Sequence, residues 1–130
     1  MPFPPGATDG DYAHAFIELI EPIVAQFAPE AVLVSSGQDI HVDDLLGSMA
    51  VTEAGFAQLG ARAAAMAAQA DGRLGLVLEG GYNNAASGRA VEATLRAVAD
   101  GQAPPVGGPS AHGKVVIGKA IETQRRYWGL

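Results

Sequence analysis

The 130-residue chain contains no cysteine. Disulfides and thiolate zinc sites are therefore excluded, and any metal would have to sit on His, Asp or Glu. Basic residues are also scarce: eight Lys and Arg stand against fourteen Asp and Glu, a formal net charge of -6. The only basic cluster, Lys114, Lys119, Arg125 and Arg126, is too sparse for the continuous patch of a nucleic-acid binder and fits a solvated helix face. No apolar run is long enough to span a bilayer. Residues 1–10 lack the basic and apolar regions of a signal peptide, so the expectation is a soluble, cytoplasmic protein.

What the chain has is apolar content. Hydrophobic residues make up 48% and charged residues 17%, which argues against disorder and for one packed domain. Much of the apolar content is alanine, a helix former that packs closely. After an extended Pro2–Gly6 entry, Phe16, Leu19, Ile20, Ile23 and Phe27 recur at helical spacing and predict one apolar helix face. Pro22 should kink that helix or restart it, and Pro29 should end it.

Two short, continuously apolar runs read as buried parallel strands, Ala31–Ser36 and Leu74–Leu78. Between them Thr52 is placed to cap a helix whose inner face carries Phe56, Leu59, Ala63, Met66 and Ala67, stopped by Asp71-Gly72. A third helix is expected over residues 84–99, a Gly/Pro-rich loop over 101–113, and a last helix over 114–128. Helix, strand, helix, strand, helix is solved most naturally by two parallel strands with a crossover. Both strands are apolar throughout, so each expects neighbours and cover on both faces. The reading is a single partial α/β domain.

Ligands of open α/β sheets bind beyond the carboxyl ends of the strands. The two unusual segments, residues 37–48 and 79–83, both lie at such ends. The first crowds Asp39, His41, Asp43 and Asp44 into six residues, groups that zinc accepts. Asp39 and His41, two apart, could form a ligand pair; equally, the acids could cap backbone amides while His41 sits on the surface. In the second segment, Gly80 and Gly81 let the backbone approach a ligand, and the Tyr82 phenol could donate to a developing oxyanion. A tight turn with a packed tyrosine is the alternative. A Walker Lys-Ser/Thr and a full dinucleotide fingerprint are both absent, which makes a nucleotide-binding domain the weakest reading.

Taken in order, Pro4-Pro5-Gly6, Pro29–Asp39, Asp44–Met49, Thr52–Phe56 and Leu76–Asn83 resemble the C-terminal part of the histone deacetylase family, which includes acetylpolyamine amidohydrolases and acetoin-utilisation-type proteins. Tyr127-Trp128 is similar to the tail of bacterial members. The resemblance implies a three-layer α/β/α arginase-deacetylase fold, here only in part. It implies that Asp44 is a zinc-binding acid, Tyr82 the catalytic tyrosine, and Gly80 and Gly81 the lining of the acyl channel. Asp39, with Gly37, then supports the loop, and the Asp39-Ile40-His41 pair is a coincidence of spacing. Leu45 stands where the family usually has proline.

The family's paired histidines and its Asp-x-His zinc ligands have no counterpart here, and His14 and His112 read as surface residues, one in a helix and one in a loop. The resemblance implies hydrolysis of an acetyl-amide (acetyl-lysine or acetylpolyamine) to acetate and an amine by the complete site, with zinc held poorly and no activity from this chain alone. A non-catalytic module that pairs with a partner chain, or with itself, through an exposed sheet edge is the second expectation.

Overall fold

The computed structural model describes all of residues 1–130. Helix α1 (Asp9–Ala15) runs without a break through a π-helical turn (Phe16–Ile20) into α2 (Glu21–Phe27). The expected disturbance at Pro22 takes this form: the turn before the proline widens, and the helix continues with Pro22 in the first turn of α2. It ends at Phe27, where Ala28 turns left-handed (φ 51°) ahead of Pro29. Leu19 is buried, but Phe27 is 67% exposed, so the apolar face predicted for this helix does not reach its C-terminal turn.

Strand β1 (Val32–Ser36) pairs in parallel with β2 (Leu74–Leu78), from Val32 opposite Leu74 to Ser36 opposite Leu78. Helix α3 (Glu53–Ala68) crosses between them and packs along α4 (Asn84–Asp100) and against α1. Thr52 caps α3, accepting the Ala54 N–H, as its position predicted. Phe56, Ala63, Met66 and Ala67 are buried, as the helical periodicity requires.

The last helix, α5 (Ala111–Gln124), departs from the expected boundary. It starts at Ser110, whose hydroxyl accepts the Gly113 N–H, and so takes in the residues read as the end of a loop. The cause lies far away in the chain. The buried Asp11 carboxylate accepts the Ser110 N–H at 2.7 Å and fixes where the helix begins. His112, expected in the loop, is an exposed residue of the first turn.

Only one face of the sheet is covered. Helices pack against the side of Val34 and Leu76, while Leu33 (78% exposed) and Val77 (54%) project from the other. The arrangement is the partial α/β domain expected, with one helical layer on a two-stranded sheet. The tightest core, Val51, Phe56 and Ala90 backed by Tyr12 and Ile40, lies among the helices and the loop after β1 rather than across the sheet. A groove of about 390 Å³ separates the covered sheet face from α1 and α3.

Candidate functional site

The loops that follow the two strands meet. The β ladder runs one step past the strands: Glu79 N–H donates to the Ser36 carbonyl and Gln38 N–H to the Gly80 carbonyl. This sets Gly37 and Asp39 directly against Gly80, where an added Cβ would lie 2.8 Å from an Asp39 carboxylate oxygen. Gly81 adopts φ +139°, open essentially to glycine, and a side chain there would strike Ser87. Gly80 is thus required by close approach between the two loops, and Gly81 by its φ and by close approach to Gln38 and to Ser87 of α4.

The first loop is long, residues 37–52, and is held at several points. Gly6 N–H donates to the Ser48 carbonyl, Ala50 N–H to the Ala7 carbonyl, and Val42 N–H to the Val51 carbonyl. Asp9 closes it by accepting both the N–H and the hydroxyl of Thr52 at 2.7 Å. Within this frame the chain turns tightly so that Asp44 faces the second loop.

Asp44 receives three backbone donors. Its Oδ1 accepts the N–H groups of Leu46 (2.9 Å) and Gly47 (2.7 Å), and its Oδ2 accepts that of Tyr82 (2.7 Å). The Tyr82 amide in particular holds the carboxyl below the usual carboxylate range; slight desolvation opposes it, and Gly47 and Leu46 add to it. Asp44 is therefore an ionised, oriented carboxylate that still has lone-pair capacity on Oδ2. The Tyr82 side chain is 54% exposed, so the packed-tyrosine alternative does not describe it. Asn83 completes the junction: its Oδ1 accepts the Ala86 N–H at the start of α4, and its Nδ2 donates to the Asp43 carbonyl.

Asp39 and His41 do not act as a pair. Asp39 packs against Gly37 and Gly80. His41, expected on the surface, is 1% exposed and stacks on Phe56 with ring centroids 5.9 Å apart. Its Nδ1 accepts the Asp43 N–H at 3.0 Å. The apolar wall of Phe56 and the turn after Gln38 draw the imidazole inward, which the hydrophilic look of the local sequence hides.

An ion-pair cluster also lay beyond sequence reasoning. Arg89 on α4 reaches Asp43 Oδ2 at 2.8 Å and also donates to Glu53 at the start of α3. Arg89 above all, with a backbone contact, keeps the Glu53 carboxyl below its ordinary value. These residues lie 36 and 46 positions apart, and no local pattern joins them.

His14 and His112 are remote from this junction, on α1 and α5. Nowhere do three His, Asp or Glu side chains converge with metal-binding geometry. One carboxylate with three N–H donors on it is a single ligand and does not fit a complete zinc site. No helix is long and apolar enough to cross a membrane.

Residues 1–98 match the family model described as the histone deacetylase domain. A probable deacetylase of Archaeoglobus fulgidus is 46% identical over 84 residues, covering 64% of this chain and 23% of that protein. Polyamine deacetylase HDAC10 of Homo sapiens is 38% identical over 106 residues, covering 82% of this chain and 15% of that protein. Among solved structures, the histone deacetylase Clr3 superposes with a TM-score of 0.88 at 26% identity, over 97% of this chain and 21% of its own. The HD domain of HDA15 superposes with a TM-score of 0.85 at 29% identity, over 96% and 34%. The chain thus spans less than a quarter of the length of these curated relatives.

Proposed function

The chain belongs to the histone deacetylase domain family, and on that premise we propose that it carries the oxyanion side of a deacetylase-type amidohydrolase site together with one of its metal-facing carboxylates. The observation that supports this is the hydrogen bond from Tyr82 N–H to Asp44 Oδ2, which ties the tyrosine loop to the acid. The substrate class is an acetylated amine, an acetyl-lysine or an acetylpolyamine. The Tyr82 phenol donates a hydrogen bond to the acetyl carbonyl oxygen as negative charge builds on it. Gly80 and Gly81 let the tyrosine loop lie close against Asp39 and Gln38 and so set where Tyr82 stands. Asp44, ionised and held by three amides, offers its remaining Oδ2 lone pair to a metal. Zinc belongs to the site of a complete family domain. A single carboxylate does not form that site, so no metal-dependent step is assigned to this chain, and the 130 residues by themselves do not hydrolyse the amide.

A chimera tests the reading. Residues 1–98 replace the matching segment of the Archaeoglobus fulgidus relative, and acetate release from an acetyl-lysine peptide and from an acetylated polyamine is measured. The expected result is an active chimera that loses about a hundredfold or more in kcat with Tyr82→Phe, the scale of removing one oxyanion donor, and loses metal with Asp44→Ala. A chimera whose activity survives both substitutions would overturn the site assignment. Zinc-dependent acetate release by the 130-residue chain alone would overturn its inactivity.

The bare sheet favours a second reading, an interaction module. Leu33 and Val77 project from the uncovered face, and each strand has one unpaired edge. Such an edge pairs readily with another strand. This reading calls for concentration-dependent association in light scattering; a monomer that binds no hydrophobic dye would count against it.

A further inference from the structure

We infer that His41 is a positioning residue for the Asp44–Tyr82 junction, acting through the acceptor lone pair of its Nδ1 and braced from behind by Glu53 and Arg89. The inference rests on the reading of Asp44 and Tyr82 as site residues for its meaning, but not for its geometry. His41 holds the turn at two points. Its Nδ1 accepts the Asp43 N–H at 3.0 Å, and its carbonyl accepts the Asp44 N–H at 2.9 Å. The amides of Asp43 and Asp44 are thus both held by His41, the first by its side chain and the second by its backbone.

An Nδ1 that accepts leaves the ring proton on Nε2. Nε2 is fully buried, has no hydrogen-bond partner of good geometry, and lies 3.5 Å from Glu53 Oε1. Phe56 stacks on the ring, and a single parallel backbone bridge to Val51 holds the main chain that carries it. Glu53 is in turn held by Arg89, and the same guanidinium takes Asp43 Oδ2 at 2.8 Å. Asp43 is therefore bound at its N–H by His41, at its carboxylate by Arg89 and at its carbonyl by Asn83. The N–H, the carbonyl and one carboxylate oxygen of the residue preceding Asp44 are all occupied, from within its own loop and from the N-terminal part of α4. An imidazole buried only for packing would not need the bond from the Asp43 N–H to its Nδ1.

The test separates the acceptor from the ring. His41→Asn keeps an acceptor near the position of Nδ1 and discards the stacking; His41→Phe keeps the stacking and discards the acceptor. Amide hydrogen exchange is read at Tyr82, whose N–H is bound to Asp44 Oδ2, and at Ala90 as a core reference. With His41→Phe, Tyr82 exchange should rise about tenfold relative to Ala90, the scale of one lost hydrogen bond. With His41→Asn, the ratio of Tyr82 to Ala90 exchange should stay near that of the parent even though the melting temperature falls. If Tyr82 exchange simply follows Ala90 in both variants, His41 is a packing residue and the inference fails. Should both variants unfold, Arg89→Met at a half-exposed position provides the readout. Faster Tyr82 exchange over an unchanged core supports the bracing role, and unchanged Tyr82 exchange overturns it. The outcome is independent of whether the chimera hydrolyses an amide, so the two proposals fail separately.

Discussion

At the scale of single residues, the most demanding position outside the site is Asp11. It is 1% exposed and accepts N–H and hydroxyl groups of Thr8 as well as the Ser110 N–H. Burial pushes its carboxyl pKa up, but the hydrogen bonds from Thr8 and Ser110 outweigh that and hold it below the ordinary value. A carboxyl whose folded pKa is depressed contributes stability that is complete above the unfolded value and is lost as pH falls through the folded one. Asp11→Asn should therefore destabilise the chain by about 1–3 kcal/mol at neutral pH and flatten the acid limb of its pH–stability curve. Urea melts from pH 7 down to pH 2 measure both effects. At Gly81, φ +139° and the nearby Ser87 hydroxyl predict that Gly81→Ala costs about 1–3 kcal/mol and loosens the tyrosine loop. Thermal melts with exchange at the Tyr82 amide would show it.

Elements begin and end here through caps, and the caps differ in reach. Thr52 caps α3 locally by accepting the Ala54 N–H, yet its own N–H and hydroxyl are held by Asp9 from α1. Thr52→Ala should cost about 0.5–2 kcal/mol. Asp9→Ala should cost less in the Thr52→Ala background than alone, because the two side chains share one network. A double-mutant cycle in urea tests the coupling, and strict additivity would argue against it. The cap of α3 was legible because Thr52 sits just before helical periodicity; that of α4, Asn83, was read only as part of the preceding loop. The start of α5 was not legible. Ser110 follows a Gly/Pro stretch that masks it, and its donor is taken by a residue 99 positions earlier.

For the whole molecule, the decisive fact is how little is buried. Only 23 of the 130 residues are buried, and the sheet is covered on one face. The denaturant dependence of unfolding scales with the surface exposed. The urea m-value should accordingly fall below that of a compact domain of equal length, as a urea titration would show. The uncovered face carries its own prediction. Leu33→Lys with Val77→Lys should suppress association seen by light scattering while changing stability by no more than about 0.5 kcal/mol, as befits exposed positions. Association that persists would have to run through another surface.

The division between sequence and fold follows from the range of the forces concerned. Strand positions, the α3 cap and the need for close backbone approach at Gly80 and Gly81 could be read directly. Apolar runs, cap residues and glycine pairs are local signals that act over a few residues. The order and spacing of the motifs also sufficed to recognise the family, since those are properties of a linear chain. Tertiary structure alone decided that His41 turns inward onto Phe56, that Arg89 joins Asp43 to Glu53, and that Tyr82 N–H lands on Asp44. Each of these contacts spans between 15 and 46 residues, and it forms only once packing has brought the loops and helices together. Tertiary structure also decided that two strands reading as buried would keep one bare face, because burial depends on what packs against a strand and not on the strand's own residues.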